Sequence, residues 1–341
     1  MAASPGARLA LLLTIPLTAL TLSLPVFADE DPLPSWNQGA AKQAIVEFVQ
    51  AVTDQSQAVY VEPQDRIVVF DNDGTLWPSH PVYTQLAFAL DRIDALAPAH
   101  PDWKNKQPFK AALDKDFNAL GQLGSKGILE LVMASHTGMS TTEFETIVKD
   151  WFASARHPRF KRRYTELAYL PMLELLNYLR SHGFKTYIVS GGGTDFIRPI
   201  SQTVYGIPPE QVVGSSVKIK YEIENGKPRL LRLSELNFVD DKAGKPIGIH
   251  NFIGKRPLAA FGNSDGDREM LQWTAAGKGA RLMMLVLHDD PKREYAYGPA
   301  RGLPDTQFGS FSKELMREAE ESGWIVISMK NDWKTIFVLE Q

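Results

Sequence analysis

Two carboxylates separated by one residue, in Asp71-Asn72-Asp73-Gly74-Thr75-Leu76, follow directly on the apolar run Ile67-Val68-Val69-Phe70. A short β-branched run of this kind reads as a buried parallel strand, and in open α/β sheets the chemistry lies beyond the carboxyl ends of such strands. Side chains alternate along an extended segment, so Asp71 and Asp73 can face one cavity while Asn72 points away. One carboxylate can then hold a cation and attack phosphorus while the other moves a proton, which suits phosphoryl transfer. An Asp-Gly turn or a calcium loop is the plainer alternative. The calcium loop lacks its closing Glu, because the twelfth position from Asp71 is Val82.

Three further segments have the make-up that phosphoryl transfer needs around such a pair. Lys185-Thr186-Tyr187-Ile188-Val189-Ser190-Gly191-Gly192-Gly193 reads as a buried strand ending in a hydroxyl and a run of glycines. Gly244-Lys245-Pro246 opens a helical stretch in which proline fits the first turn. Pro257-Leu258-Ala259-Ala260-Phe261-Gly262-Asn263-Ser264-Asp265-Gly266-Asp267 reads as a strand with an acidic loop, and Arg268-Glu269-Met270-Leu271 begins a helix after it. In this order the four segments resemble the motifs of the haloacid dehalogenase-like (HAD) hydrolases, in particular the phosphoserine-phosphatase-like branch, over about residues 65 to 340.

The resemblance implies an α/β fold: a doubly wound, Rossmann-like parallel sheet with an inserted helical cap. It implies a Mg2+-dependent phosphatase acting on small-molecule phosphate monoesters through a phospho-aspartate, with Asp71 as nucleophile and Asp73 as general acid and base. Ser190 would bond a phosphoryl oxygen, with Gly191, Gly192 and Thr75 around the substrate, and Lys245 would stabilise charge on Asp71 and the transferring group. Asp71, the Asp73 carbonyl and Asn263 or Asp267 would hold the metal. Asn263 departs from the Asp usual in phosphoserine-phosphatase-like members. Spacing leaves open whether Asp265 or Asp267 faces the metal; Lys245 is preferred to Lys242, which lies in a polar Asp-Asp-Lys loop.

Compartment and domain layout come from the rest of the chain. Arg8, the mostly apolar stretch Leu9 to Leu24 and Val26-Phe27-Ala28 read as a secretory signal peptide over residues 1–28. That stretch is short for the roughly 20 residues of a membrane span, so a periplasmic or secreted protein without stable membrane insertion after signal cleavage is expected, with a segment kept as an anchor as the alternative. The absence of cysteine excludes disulfides, zinc-thiolate sites and cysteine nucleophiles. Hydrophobic residues make up 44% of the 341 residues, enough for a sizeable core. The second strand follows the first by more than 100 positions, and Tyr83, Leu86, Leu90 and Phe144, Ile147, Trp151 recur at helical spacing between them. A core over 29–78 and 166–341 with a helical cap over 79–165 is the expected arrangement. Asn225-Gly226 between alternating runs marks a hairpin.

Two other classes of function compete. Gly262-Asn263-Ser264-Asp265-Gly266 matches the G-x-S-x-G elbow of serine esterases, whose histidine would have to be His288. A non-catalytic phospho-ligand-binding protein could use the same loops, but it gains nothing from a nucleophile and an acid facing its anion. The basic run Arg156, Arg159, Lys161, Arg162, Arg163 reads as solvated surface, with Phe160 and Tyr164 as core contacts, and the net charge of −3 weighs against nucleic acid. Trp77 and His80 are weighed as leaving-group contacts or as a hinge-packing Trp and an exposed His. His288-Asp289-Asp290 reads as a cap or turn after a strand.

Overall fold

The structure, a computed structural model, describes residues 1–3 and 31–338. The expected signal segment lies, apart from its first three residues, outside the described residues. The chain divides into two units, Met1–Asp31 and Pro32–Gln341, and the elements below belong to the second.

Helix α1 (Ala40–Thr53) buries Ile45, Val49 and Val52 at helical spacing and leads into β1 (Ile67–Phe70). Four helices follow, α2 (Thr84–Leu96), α3 (Phe109–Leu113), α4 (Phe117–His136) and α5 (Thr141–Ser154), before α6 (Leu170–Ser181) feeds β2 (Lys185–Gly193). Gly124 interrupts α4 with φ 61° and ψ −160°, and Ser140 with Glu143 forms a reciprocal capping box at the start of α5. Next come α7 (Thr194–Tyr205), β3 (Val212–Glu224), β4 (Lys227–Phe238), α8 (Gly244–Gly248), β5 (Ala259–Gly262), α9 (Arg268–Ala275), β6 (Leu282–Leu287), α10 (Lys313–Glu321) and β7 (Ile325–Ser328). Asn225 (φ 50°) and Gly226 (φ 76°) turn the β3–β4 hairpin with a positive φ that asparagine tolerates and glycine, without a Cβ, adopts freely.

The seven strands form one sheet in the order β4-β3-β2-β1-β5-β6-β7. All neighbours are parallel except the β3–β4 hairpin at one edge. Strand β1 is buried at every position, and alternation sends Val68 and Phe70 to one face and Ile67 and Val69 to the other. Phe70 stacks on Phe261 of β5 with ring centroids 4.7 Å apart. The first face packs against α1, α5, α6 and α7; the second packs against α9 and α10. The strand order reverses between β1 and β5, so the crevice beyond their carboxyl ends is where a doubly wound sheet binds its ligand.

Candidate active site

Asp71 continues the sheet, its amide donating to the Phe261 carbonyl at 2.9 Å. The chain then turns back on itself: the Asn72 carbonyl accepts from Thr75 and Leu76, and the Gly74 amide donates to the Trp77 carbonyl at 2.7 Å. Gly74 has φ 86°, and a Cβ there would lie 2.2 Å from the Asn263 amide, so only glycine meets both demands. Asp71 and Asp73 line the same cavity, as alternation requires.

Lys245, near the start of α8, is buried and donates all three ammonium protons. Its Nζ lies 2.6 Å from Asp71 Oδ1, 2.7 Å from Asp267 Oδ1 and 2.9 Å from the Val189 carbonyl. Burial pulls the ammonium down, but Asp267 and Asp71 outweigh it and hold Lys245 above the ordinary lysine range. Burial, with Asp267 second, pushes Asp71 well above the usual carboxylate range while Lys245 opposes. Asp73 is raised by burial to about 6, against the lowering bond from Trp77. Lys242, by contrast, sits in the preceding loop with φ 51°.

Ser190 ends the buried part of β2, and its Oγ accepts from the Gly192 amide at 3.1 Å. The ladder to β3 pairs Ser190 with Gly214 and then Gly193 with Ser215, so Gly191 and Gly192 bulge at the carboxyl end of β2, where they line the cavity. An anion can approach such backbone closely. On the other side, Asp267 Oδ2 accepts from the Asn263 and Ser264 amides at 2.9 and 3.0 Å. A Cβ on Gly262 would lie 2.5 Å from the Asp267 side chain, which explains the glycine ending β5.

Asn263 bears on metal binding. One terminal atom of its amide lies 3.0 Å from the Asp73 carbonyl oxygen, 3.3 Å from Asp71 Oδ2 and 3.1 Å from the Thr75 hydroxyl. As nitrogen, that atom donates to all three. As oxygen, it accepts from Thr75 and forms with Asp71 Oδ2 and the Asp73 carbonyl a triad of acceptors. Octahedral magnesium, with oxygens at about 2.1 Å, separates neighbouring ligands by about 3 Å, and the separations of the Asn263 atom from the Asp73 carbonyl and from Asp71 Oδ2 match that spacing. Among the described residues no group of three His, Cys, Asp or Glu side chains could hold a metal ion, so a cation here depends on a carboxylate, a carbonyl and an amide.

Asp71, Asp73, Ser190, Gly191, Gly192, Lys245 and Asp267 all line the cavity. Thr75 does not: it is fully buried and its hydroxyl is committed to Asn263, which corrects the expected substrate contact. Asp267 accepts from Lys245 with one oxygen and from the Asn263 and Ser264 amides with the other, and so ties the loop after β5 to Lys245. Asp265 turns away to Ser312 and Arg268. Ser264 accepts from Gly266 and donates to Asp267.

His288 is no cap or turn residue. It is buried, with Nε2 2.8 Å from the Gly74 carbonyl and Nδ1 3.0 Å from Glu294. Both ring nitrogens are thus spent, and Ser264 has no histidine partner for esterase chemistry. Trp77 is buried and its Nε1 donates to Asp73 Oδ1. Gln85 of α2 accepts from the Gly193 amide at 2.7 Å and lies 3.0 Å from His136. His80 stacks on Tyr297 at 3.6 Å. The sequence offered for His288 only its place after a strand and singled out nothing at Gln85, which lies in the first turn of α2. In the basic run, Arg159 donates to the Pro291 and Lys292 carbonyls, and Tyr164 packs on Trp151.

No curated protein matches the sequence. A family profile described as haloacid dehalogenase-like hydrolase matches residues 68–272. Among solved structures, the chain is similar to a conserved protein of unknown function from Anaerococcus prevotii DSM 20548, at 16% identity and TM-score 0.50 over 73% of this chain and 86% of that one. It is also similar to a protein of unknown function from Bordetella pertussis Tohama I, at 14% identity and TM-score 0.45 over 77% and 97%. A third is a phosphoserine phosphohydrolase-like protein from Francisella tularensis subsp. tularensis SCHU S4, at 13% identity and TM-score 0.38 over 76% and 94%. The likeness to the Anaerococcus protein is one of fold. Since the profile spans more than half of the chain and its ends enclose all four segments that meet at the β1–β5 crevice, the protein belongs to the haloacid dehalogenase-like hydrolases.

Proposed function

We propose that this hydrolase is an exported, magnesium-dependent phosphatase that cleaves phosphate monoesters of small molecules. The observation that carries the reading is the clamp of Lys245 between Asp71 and Asp267, with Asp73 facing the same cavity. Export rests on the N-terminal sequence alone. The interval 79–165 is taken as a cap, because its helices help to wall the cavity beyond the carboxylates.

In this reading the phosphoryl group lies against Ser190 and the Gly191–Gly192 bulge. An Asp71 oxygen attacks phosphorus, the bond to the leaving oxygen breaks, and Asp73 gives that oxygen its proton. Water then attacks the phospho-aspartate, Asp73 takes the proton from water, and phosphate departs with Asp71 restored. Lys245 stays charged throughout and holds Asp71 in line. Asp71 Oδ2, the Asp73 carbonyl and the Asn263 amide oxygen would hold Mg2+, which would neutralise phosphate charge and favour the ionised form of Asp71. A pKa near 6 lets Asp73 serve as acid and then as base.

Turnover of p-nitrophenyl phosphate by the purified protein, with Mg2+ and after chelation, tests the reading. Magnesium-dependent release of nitrophenol that Asp71→Asn abolishes supports it. Hydrolysis of a carboxylic ester without phosphatase activity would refute it.

A further inference from the structure

Beyond the carboxylates the cavity extends far past the space a phosphoryl group needs, with a volume of about 840 Å³. Its distal walls come from α2, α4, α5 and the β3–β4 hairpin, and Leu86, Leu129, Val132, Met133, Phe144 and Leu236 line them. Leu129, Val132, Met133 and His136 stand at i, i+3, i+4 and i+7, one stripe of α4. On a different side of the same helix Leu131 is fully buried in a cluster with Leu86, Trp103 and Phe109. At the end of the stripe His136 is buried against Phe88 and Phe144, but Leu129, Val132 and Met133 are only half-buried. A helix apolar on two sides, with one side packed and the other facing a void, presents a surface suited to an apolar ligand.

The buried polar groups in that part of the cavity already have partners. Arg232 pairs with Asp195, donates to the His136 carbonyl at 2.7 Å and stacks over Phe144 at 4.1 Å. Gln85 joins His136 to Gly193. Lys126 and Gln307 line the cavity from exposed positions, as do the apolar Leu236 and Val239. A sugar or nucleoside hydroxyl brought against Leu129, Val132 or Met133 would lose water to side chains that offer it no hydrogen bond. A methylene placed there would gain about fourfold in affinity.

We infer that the alcohol part of the substrate is an aliphatic chain lodged against the α4 stripe. The inference rests on the phosphatase reading and adds the substrate class. Two measurements on the full, magnesium-loaded protein test it: kcat/KM for n-alkyl phosphates from ethyl to octyl, below their micellar concentrations, and calorimetric affinity for the matching n-alkylphosphonates, which are not hydrolysed. Both should rise by about two- to fourfold per methylene. Met133→Gln, matched in length to methionine, and Leu129→Asn should each lower the octyl-to-ethyl ratio by about three- to tenfold, with folding checked by circular dichroism.

A flat series in the wild-type protein overturns the inference, as does a higher kcat/KM for phosphoserine or glucose 6-phosphate than for octyl phosphate. Folded variants that keep the wild-type ratio overturn it too. Phosphonate affinity that climbs with chain length, in a protein that hydrolyses no phosphate ester, would refute the phosphatase reading and leave the apolar subsite standing. Hydrolysis of p-nitrophenyl phosphate with a flat alkyl series would do the reverse.

Discussion

The indole Nε1 of Trp77 donates a 2.9 Å hydrogen bond to Asp73 Oδ1. The bond favours the charged carboxylate and lowers the Asp73 pKa against the rise that burial imposes, leaving it at about 6. It also fixes the carboxyl in the cavity wall, where a proton must be handed to the leaving oxygen.

Trp77→Phe removes that bond and should raise the Asp73 pKa further. The alkaline limb of the pH–rate profile, where the acid form is lost, is then predicted to move to higher pH. The rate on alkyl phosphates should fall by about ten- to a hundredfold, below the 10²- to 10⁴-fold that a general acid typically supplies in full. Activated aryl phosphates should suffer less, because their leaving group needs little protonation. An unchanged alkaline limb would count against Asp73 as the acid.

Lys245→Met leaves Asp71 and Asp267 buried without their shared cation. The expected loss of stability at neutral pH is about 3–5 kcal/mol. Asp71, already raised by burial and then without the opposing ammonium, can answer by binding a proton, so the folded variant should hold more protons than its unfolded chain above the unfolded carboxyl pKa. Its stability relative to wild type therefore improves as pH falls from 8 to 5. Urea denaturation at the two pH values measures this.

Asn263→Leu removes one corner of the oxygen triad and should weaken Mg2+ binding by at least about tenfold. Asn263→Asp adds a negative charge at the same corner and should bind the ion more tightly than wild type. Calorimetric titration of chelator-treated protein separates the three. A Leu variant with wild-type affinity would place the metal elsewhere.

The four motif segments were legible because each is local: a buried strand or a helix start, followed by residues whose side chains must lie at its end. Lys245 was preferred to Lys242 by the proline after it, and the structure buries Lys245 between two carboxylates. What failed were contacts that depend on side-chain direction or distant pairing. Thr75 sits in the first motif yet points inward to Asn263, 188 positions later. His288 reaches a carbonyl 214 positions earlier in the chain, and no periodicity marks such a pair. The Trp77 indole is four residues from its partner, but only the turn closed by the Gly74 amide brings it round. The helical interval was visible as spacing; the void that α4 leaves open was not, since a half-buried stripe and a packed one share the same pattern.

His136 is neutral in the fold: its Nε2 accepts from Gln85, whose oxygen is already taken by the Gly193 amide, and burial lowers its pKa to about 3. The unfolded chain takes up this proton near the ordinary value of 6.5. The contribution of His136 to stability should therefore be full above pH 6.5 and fall as pH drops toward 3, with a slope of about 1.4 kcal/mol per pH unit for each such proton. His80, also lowered to about 3 by burial, adds to the slope. A folded His136→Gln variant should show a slope smaller by about one proton between pH 6 and 4 in denaturant titrations. An unaltered slope would mean that His136 is charged in the fold.

The most direct test of the central claim is to find where the phosphoryl group goes. Acid quenching of the magnesium-loaded protein during turnover of a labelled aryl phosphate, followed by peptide mapping, should place the label on Asp71 as an acyl phosphate. Asp71→Asn should carry none. Label on Ser190 or Ser264, or undiminished turnover by Asp71→Asn, would contradict the account.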